Sequence, residues 1–410
     1  MKFNAAPQFI LTLVLVACVA WLGCSFTFYT EAIASPYFAF TLGGVLIIHF
    51  RIRPAWLDVL LVFLGALLLA LADFQIFHYK RTPSCWVAFA GLASLAILGT
   101  RAIWTHGENR KLYLLAFIPA ACFVASEYFA SNLLEWTGRL HPKVLDLYLY
   151  SFDASLYVQL PFRIGQAFSR WPALRGASVL FYAALSIPIA LIYAGKVLRL
   201  RERAFPCFLA FVAAGPIGVL FYNLFPAVGP VHLFLQDFPW RPLALEQVPH
   251  LLLEAVPVAG YRNAIPSLHM AWVLLAWWYS RGMAWWERGV ALVFLVFTVL
   301  ATMGSGEHYA VDLVLAFPYA LLIEALFSFS LPWKDKTRAT AVAFGLASIL
   351  LWFGALFYVP HLFWRSPILP WGMSILTILL SVHFERLLQT GMHPEVAGEK
   401  APPDAVLVRS

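Results

Sequence analysis

The chain has 410 residues, 62% of them hydrophobic and only 12% charged, with a formal net charge of +7. An ordinary soluble domain carries about twice that share of charge. The composition excludes a soluble enzyme and a disordered regulator, and the scatter of the basic residues between apolar runs excludes a nucleic-acid module.

Each crossing of a bilayer needs about 20 mostly apolar residues. In chain order such runs fall near 8–29, 33–50, 55–74, 84–104, 111–132, 173–196, 205–225, 268–283, 287–304, 310–331, 339–359 and 367–385. The expected fold class is therefore an all-α integral membrane protein with about 12 transmembrane helices. No small-residue cleavage site follows the first run, so 8–29 reads as a span and not as a removed signal. The stretch 133–172 mixes aromatics, aliphatics and a few charges (Leu145 to Tyr150, Leu156 to Leu160) and reads as an interfacial helix pair. The tail from about Thr390 holds Gly, Pro and charge, and reads as disordered. Cys18, Cys24, Cys85, Cys122 and Cys207 form no Cys-x-x-Cys pair, so neither a disulfide framework nor a metal knuckle is indicated. No internal repeat is visible.

Lys and Arg favour cytoplasmic loops. With the N-terminus inside, most of the 28 Lys and Arg fall on the inner side, among them Arg51, Arg101, Arg199, Arg281 and Lys336. Both termini are then cytoplasmic, in a cell inner membrane, and the long loops 133–172 and 226–267 lie on the outer face.

Reactive side chains concentrate at two junctions on that outer face. One runs from Tyr261 to His269 and contains Arg262, Asn263, Pro266, Ser267, Leu268 and His269; the other runs from Gly304 to Asp312 and contains Glu307, His308 and Tyr309. A third piece, Tyr222 to His232, exits on the same side. His308 and Asp312 are four apart, within reach on one helix face. A carboxylate there fixes the tautomer of the imidazole and stabilises its cation, leaving the other nitrogen as nucleophile or base. Taken alone, such a pair is more often a satisfied polar contact. Pro266-Ser267 opens a helix, where free amides bind anions, although Pro-Ser is also an ordinary cap.

Together the motifs resemble the type 2 phosphatidic acid phosphatase superfamily. Its second signature, Pro-Ser-Gly-His, appears as Pro266-Ser267-Leu268-His269. Its third keeps His308-x3-Asp312, but Ala301 and Thr302 replace Ser-Arg. Its first, Lys-x6-Arg-Pro, is missing, and Phe225-Pro226-Ala227-Val228-Gly229-Pro230 stands in its place. These departures are similar to the inositol phosphorylceramide synthase-like branch. The resemblance covers roughly 111–331. It implies a catalytic six-helix core at 106–332, after a four-helix membrane region at 1–105 and before two helices at 333–389 and a tail at 390–410.

The resemblance implies that His308 attacks phosphorus, Asp312 supports its other nitrogen, and His269 protonates the leaving oxygen. Ser267 and the Leu268 amide would bind phosphate, with Arg262 as replacement cation and Asn263 beside it. His232, Tyr309, Glu307 and Tyr222 would line the substrate. No metal or cofactor is implied. The expected partners are a phospholipid or lipid-phosphate substrate and the bilayer, with no nucleic acid. Loss of the family cations favours transfer of a singly charged phosphodiester head group; the alternative is hydrolysis of lipid or polyprenyl phosphate monoesters. A transporter also fits twelve spans, but carriers show paired repeats and interrupted helices, and neither is visible.

Overall fold

The computed structural model describes residues 35–77 and 83–392. The expected span 8–29, Cys18, Cys24 and the tail beyond Met392 lie outside the described residues.

The described chain is built almost entirely of helices. Helix α1 (Pro36–Arg51), α2 (Trp56–Phe77) and α3 (Pro83–Trp104) precede the long α4 (Gly107–Leu140). A two-residue strand β1 (Lys143–Val144) leads to α5 (Asp146–Ser155), α6 (Leu160–Arg170), α7 (Pro172–Ala183) and α8 (Ser186–Leu200). Helix α9 (Phe205–Leu224) and the short α10 (Pro230–Phe234) follow, then β2 (Val256–Pro257). The chain continues through α11 (Leu268–Tyr279), α12 (Trp285–Gly304), α13 (Ala310–Leu326), α14 (Lys336–Tyr358) and α15 (Ile368–Met392). β1 and β2 pair antiparallel, Lys143 opposite Pro257 and Val144 opposite Val256.

Six stretches among the described residues are long and apolar enough to cross a membrane: Trp56–Gln75, Ser84–Trp104, Ser186–Leu224, Trp285–Gly304, Lys336–Tyr358 and Ile368–Met392. These support an integral membrane protein. The third comprises α8, a 3-10 turn at Arg201–Ala204, and α9.

Four expectations from the sequence need correction. The run at 111–132 belongs to a 34-residue helix that continues to Leu140, with Arg139 paired to Glu135 at 2.6 Å along its last turns. The run at 173–196 is two helices. Pro188 has no N–H to donate to the Ala184 carbonyl, and that carbonyl accepts from Ile187 instead at 2.9 Å. Thr390 is still helical, inside α15.

The fourth correction concerns α5, which is packed inside the protein and does not lie on its surface. Eight of its ten residues are buried, including Asp146 and Asp153. Phe152 packs edge-on between Trp352 and Phe363, with centroids 5.2 and 4.8 Å away. α6, by contrast, buries only Pro161, Phe162, Gly165 and Phe168.

Helix α13 lies in the middle, with 15 of its 17 residues buried against α11, α14 and α15. The N-terminal helices are joined to this core through α1, which packs on α8 and whose Arg51 shares the buried Glu287 with Arg199 (2.9 Å).

Candidate active site

Two helix starts converge. Ser267 caps α11 from an extended backbone (φ −66°, ψ 113°), its Oγ accepting from the Met270 amide at 3.4 Å. Its own amide donates to the Asp312 carbonyl at 3.1 Å, tying the α11 turn to the start of α13. Three residues before the cap, Ala264 donates to the Ala227 carbonyl at 3.1 Å, which joins the 225–230 segment to both.

His308 sits in the turn before α13, buried, with its amide on the Thr302 carbonyl at 3.2 Å. Its Nδ1 faces two acceptors, the Ala264 carbonyl at 2.8 Å and Asp312 Oδ2 at 3.4 Å. A carbonyl oxygen has no proton to offer, so Nδ1 carries the hydrogen and Nε2 the lone pair of the neutral ring. Nε2 lies 3.2 Å from Ser267 Oγ. Asp312 Oδ2 also accepts from the Tyr309 amide at 2.8 Å, whereas Oδ1 is buried with no hydrogen-bond partner among the described residues.

His269, in the first turn of α11, is half-buried. Its ring stacks on Tyr182 at 3.9 Å and meets the edge of Trp272 at 5.8 Å. It has no hydrogen-bond partner among the described residues.

Two carboxylates that sequence reasoning did not place in the site lie behind this pair. Asp146 accepts from the amides of Val228 (3.0 Å) and Gly229 (2.8 Å) and from the Tyr309 hydroxyl (3.1 Å). Asp153 accepts from the amides of Ala310 (2.7 Å) and Val311 (3.2 Å). Burial pushes the Asp146 carboxyl up to about 7 and the Asp153 carboxyl up to about 8, against the amide donors that favour their charged forms. In the sequence Asp153 reads equally as a residue that recurs in the inositol phosphorylceramide synthase-like branch and as an ordinary helix cap, and Asp146 carries no motif.

The remaining candidates divide. His232, on α10, lies 3.7 Å from Glu307 Oε2, and both side chains are more than a third exposed. The Glu307 carboxylate raises the His232 pKa above its ordinary 6.5. Tyr222 is buried on α9 with its hydroxyl toward the backbone of Leu268, the amide expected to be open for phosphate. Tyr309 is fully buried, and its hydroxyl donates to Asp146. Asn263 is half-buried, and its side chain makes no hydrogen bond among the described residues.

Arg262 differs from expectation. Its guanidinium donates to the carbonyls of His141 (2.7 Å), Val258 (3.0 Å) and Gly260, and its amide to Thr137 Oγ1 (3.1 Å). It holds the end of α4 to the 256–262 loop, and its fork is occupied by the chain itself.

The PAP2 superfamily model fits residues 147–326. No curated protein and no solved structure matches the chain. The PAP2-like segment starts within α5, ends with α13, and contains Asp153, His232, the Ser267–His269 turn and the His308–Asp312 turn. Asp146 stands one residue before it.

Proposed function

We propose that this protein is a membrane-embedded phosphatase-type enzyme that acts on a lipid phosphate through a phosphohistidine on His308 and passes a phosphodiester head group to a lipid alcohol. The observation that carries the reading is the arrangement around His308. Two acceptors hold the proton on Nδ1, and Nε2 is left as a lone pair beside Ser267, which stands two residues before the second histidine, His269. The PAP2 superfamily match over 147–326 supports phosphatase-type chemistry on a lipid phosphate.

In the first step the Nε2 lone pair of His308 attacks phosphorus as the bond from phosphorus to the leaving oxygen breaks. Protonated His269 gives its proton to that oxygen. The imidazolium that forms on His308 is supported at Nδ1 by Asp312 and the Ala264 carbonyl. In the second step an alcohol attacks the phosphohistidine. Its proton passes to His269, the phosphorus–nitrogen bond breaks, and both histidines return to their starting states.

The charge balance favours a diester over a monoester. Asp312 touches His308, Asp146 and Asp153 hold the segments behind it, and Arg262 is spent on carbonyls. A dianionic phosphate would find few cationic donors there. The same reading places the site on the outer membrane face, with both termini in the cytoplasm, and assigns 106–332 as the catalytic core.

The test is turnover of a lipid panel by the purified full chain in oxygen-18 water, with and without ceramide, diacylglycerol or polyprenol. A new lipid phosphodiester is expected. Label in released phosphate would instead make water the acceptor and the enzyme a hydrolase. His308→Ala should abolish turnover, and His269→Ala should lower it by roughly 10²- to 10⁴-fold. Full activity in His308→Ala overturns the mechanism. A reporter inserted within 226–267 should read as non-cytoplasmic.

A further inference from the structure

Asp146 and Asp153 are seven residues apart on α5, two helical turns, so both carboxylates leave the helix on the same side. Both are buried, and neither has a cationic partner among the described residues. Burying carboxylates without a cation is costly, and an apolar residue at either place would be cheaper. Their five donors belong to only two segments, the 228–229 turn and the start of α13.

The amides at the start of α13 account for this arrangement. The cap position holds Tyr309, whose side chain makes no capping bond. The Tyr309 amide goes to Asp312 Oδ2 and the Asp312 amide to the Tyr309 carbonyl. The two amides between them, Ala310 and Val311, have no acceptor within their own helix start and take the two oxygens of Asp153. Asp146 meanwhile joins the Tyr309 hydroxyl to the turn of the 225–230 segment, and Ala227 in that segment holds Ala264, whose carbonyl holds His308 Nδ1. Both acceptors of Nδ1 are thus set in place from α5.

We infer that Asp146 and Asp153 are positioning residues: Asp153 caps the helix that carries Asp312, and Asp146 clamps Tyr309 to the 228–229 turn, and together they hold His308 in its attacking orientation. The inference rests on the proposed role of His308. Neither carboxylate touches the substrate.

The test uses the full chain in lipid nanodiscs and four variants. Asp153→Asn puts an NH2 where an acceptor is needed, and Asp153→Glu restores two acceptors on a longer arm. Tyr309→Phe removes one hydroxyl. Ala310→Pro removes the amide that Asp153 accepts at the first helical position, where proline is well tolerated, and the extended backbone of Tyr309 (φ −84°, ψ 161°) suits a residue before proline. This variant keeps the test open if Asp153→Asn fails to fold. Steady-state kinetics are paired with nitrogen-15 histidine spectra, in which the His308 signal is assigned by its loss in His308→Ala.

The expected result is a kcat at least about tenfold lower in Asp153→Asn and Ala310→Pro, a KM within about twofold, a shifted His308 resonance, and partial recovery in Asp153→Glu. Tyr309→Phe should show a smaller change of the same kind. Wild-type kcat in Asp153→Asn and Ala310→Pro overturns the inference, and so does lost kcat with an unmoved His308 resonance. If the wild-type chain turns over no lipid phosphate, the proposed function fails, and the His308 resonance alone decides the positioning role.

Discussion

Tyr182 lies flat against His269, ring centroids 3.9 Å apart and planes inclined by 19°. The stack sets the plane of an imidazole that has no hydrogen-bond partner among the described residues, and Trp272 closes its other edge. Aromatic pairs of this kind contribute about 0.5–1.5 kcal/mol. Tyr182→Phe should therefore keep near-wild-type kcat, and Tyr182→Ala should lose about tenfold. Steady-state kinetics on a lipid phosphate check both.

Arg262 separates a structural from a phosphate-binding role. Its removal leaves three carbonyls of the 256–262 loop and the α4 end without their donor. Each unpaired buried group costs about 1–3 kcal/mol. Arg262→Gln is expected to lower the melting temperature in detergent clearly and leave KM nearly unchanged. A large rise in KM at wild-type stability would show that the guanidinium leaves its carbonyls to bind substrate.

The His232–Glu307 pair should respond to pH. The folded pKa of His232 lies above the ordinary 6.5 because of the Glu307 carboxylate. Its stabilisation is complete below about pH 6.5 and is lost as pH rises through the folded value. Both partners are more than a third exposed, so the effect is small, under about 1 kcal/mol, and weakened by salt. The stability difference between wild type and Glu307→Gln, measured by thermal melts from pH 5 to 9, should be largest at the acid end and vanish at the alkaline end.

Gly229 has φ +107°, and a Cβ there would fall on the backbone carbonyl of Glu307, next to His308. Gly229→Ala therefore combines backbone strain with a clash, of order 1–3 kcal/mol. Loss of both expression and activity is expected, whereas Gly289→Ala, in open space on α12, should behave as wild type.

Helix positions were largely legible in the amino-acid order because a bilayer demands long apolar runs, and α2, α3, α12 and α14 begin within three residues of expectation. Breaks were harder to see. The division at 184–185 depends on one absent N–H at Pro188, a small perturbation in a continuous apolar run. The motifs around Ser267–His269 and His308–Asp312 stood out because polar groups are rare in such a chain. Asp146 did not, and Asp153 read as readily as a helix cap, because an acid in an aromatic-rich loop does not name its partners.

Composition alone pointed to a helical membrane chain, since apolar length is a property of the linear order, and the resemblance of two motifs to the type 2 phosphatidic acid phosphatase superfamily pointed to His269, His308 and Asp312, on which the proposed chemistry rests. Only the folded chain decided which nitrogen of His308 holds the proton, that Arg262 serves the protein's own carbonyls, and that α5 is buried. Those outcomes follow from contacts between segments far apart in sequence. A buried donor or acceptor takes whichever partner the packing brings to it, and the order of residues along one segment does not name that partner.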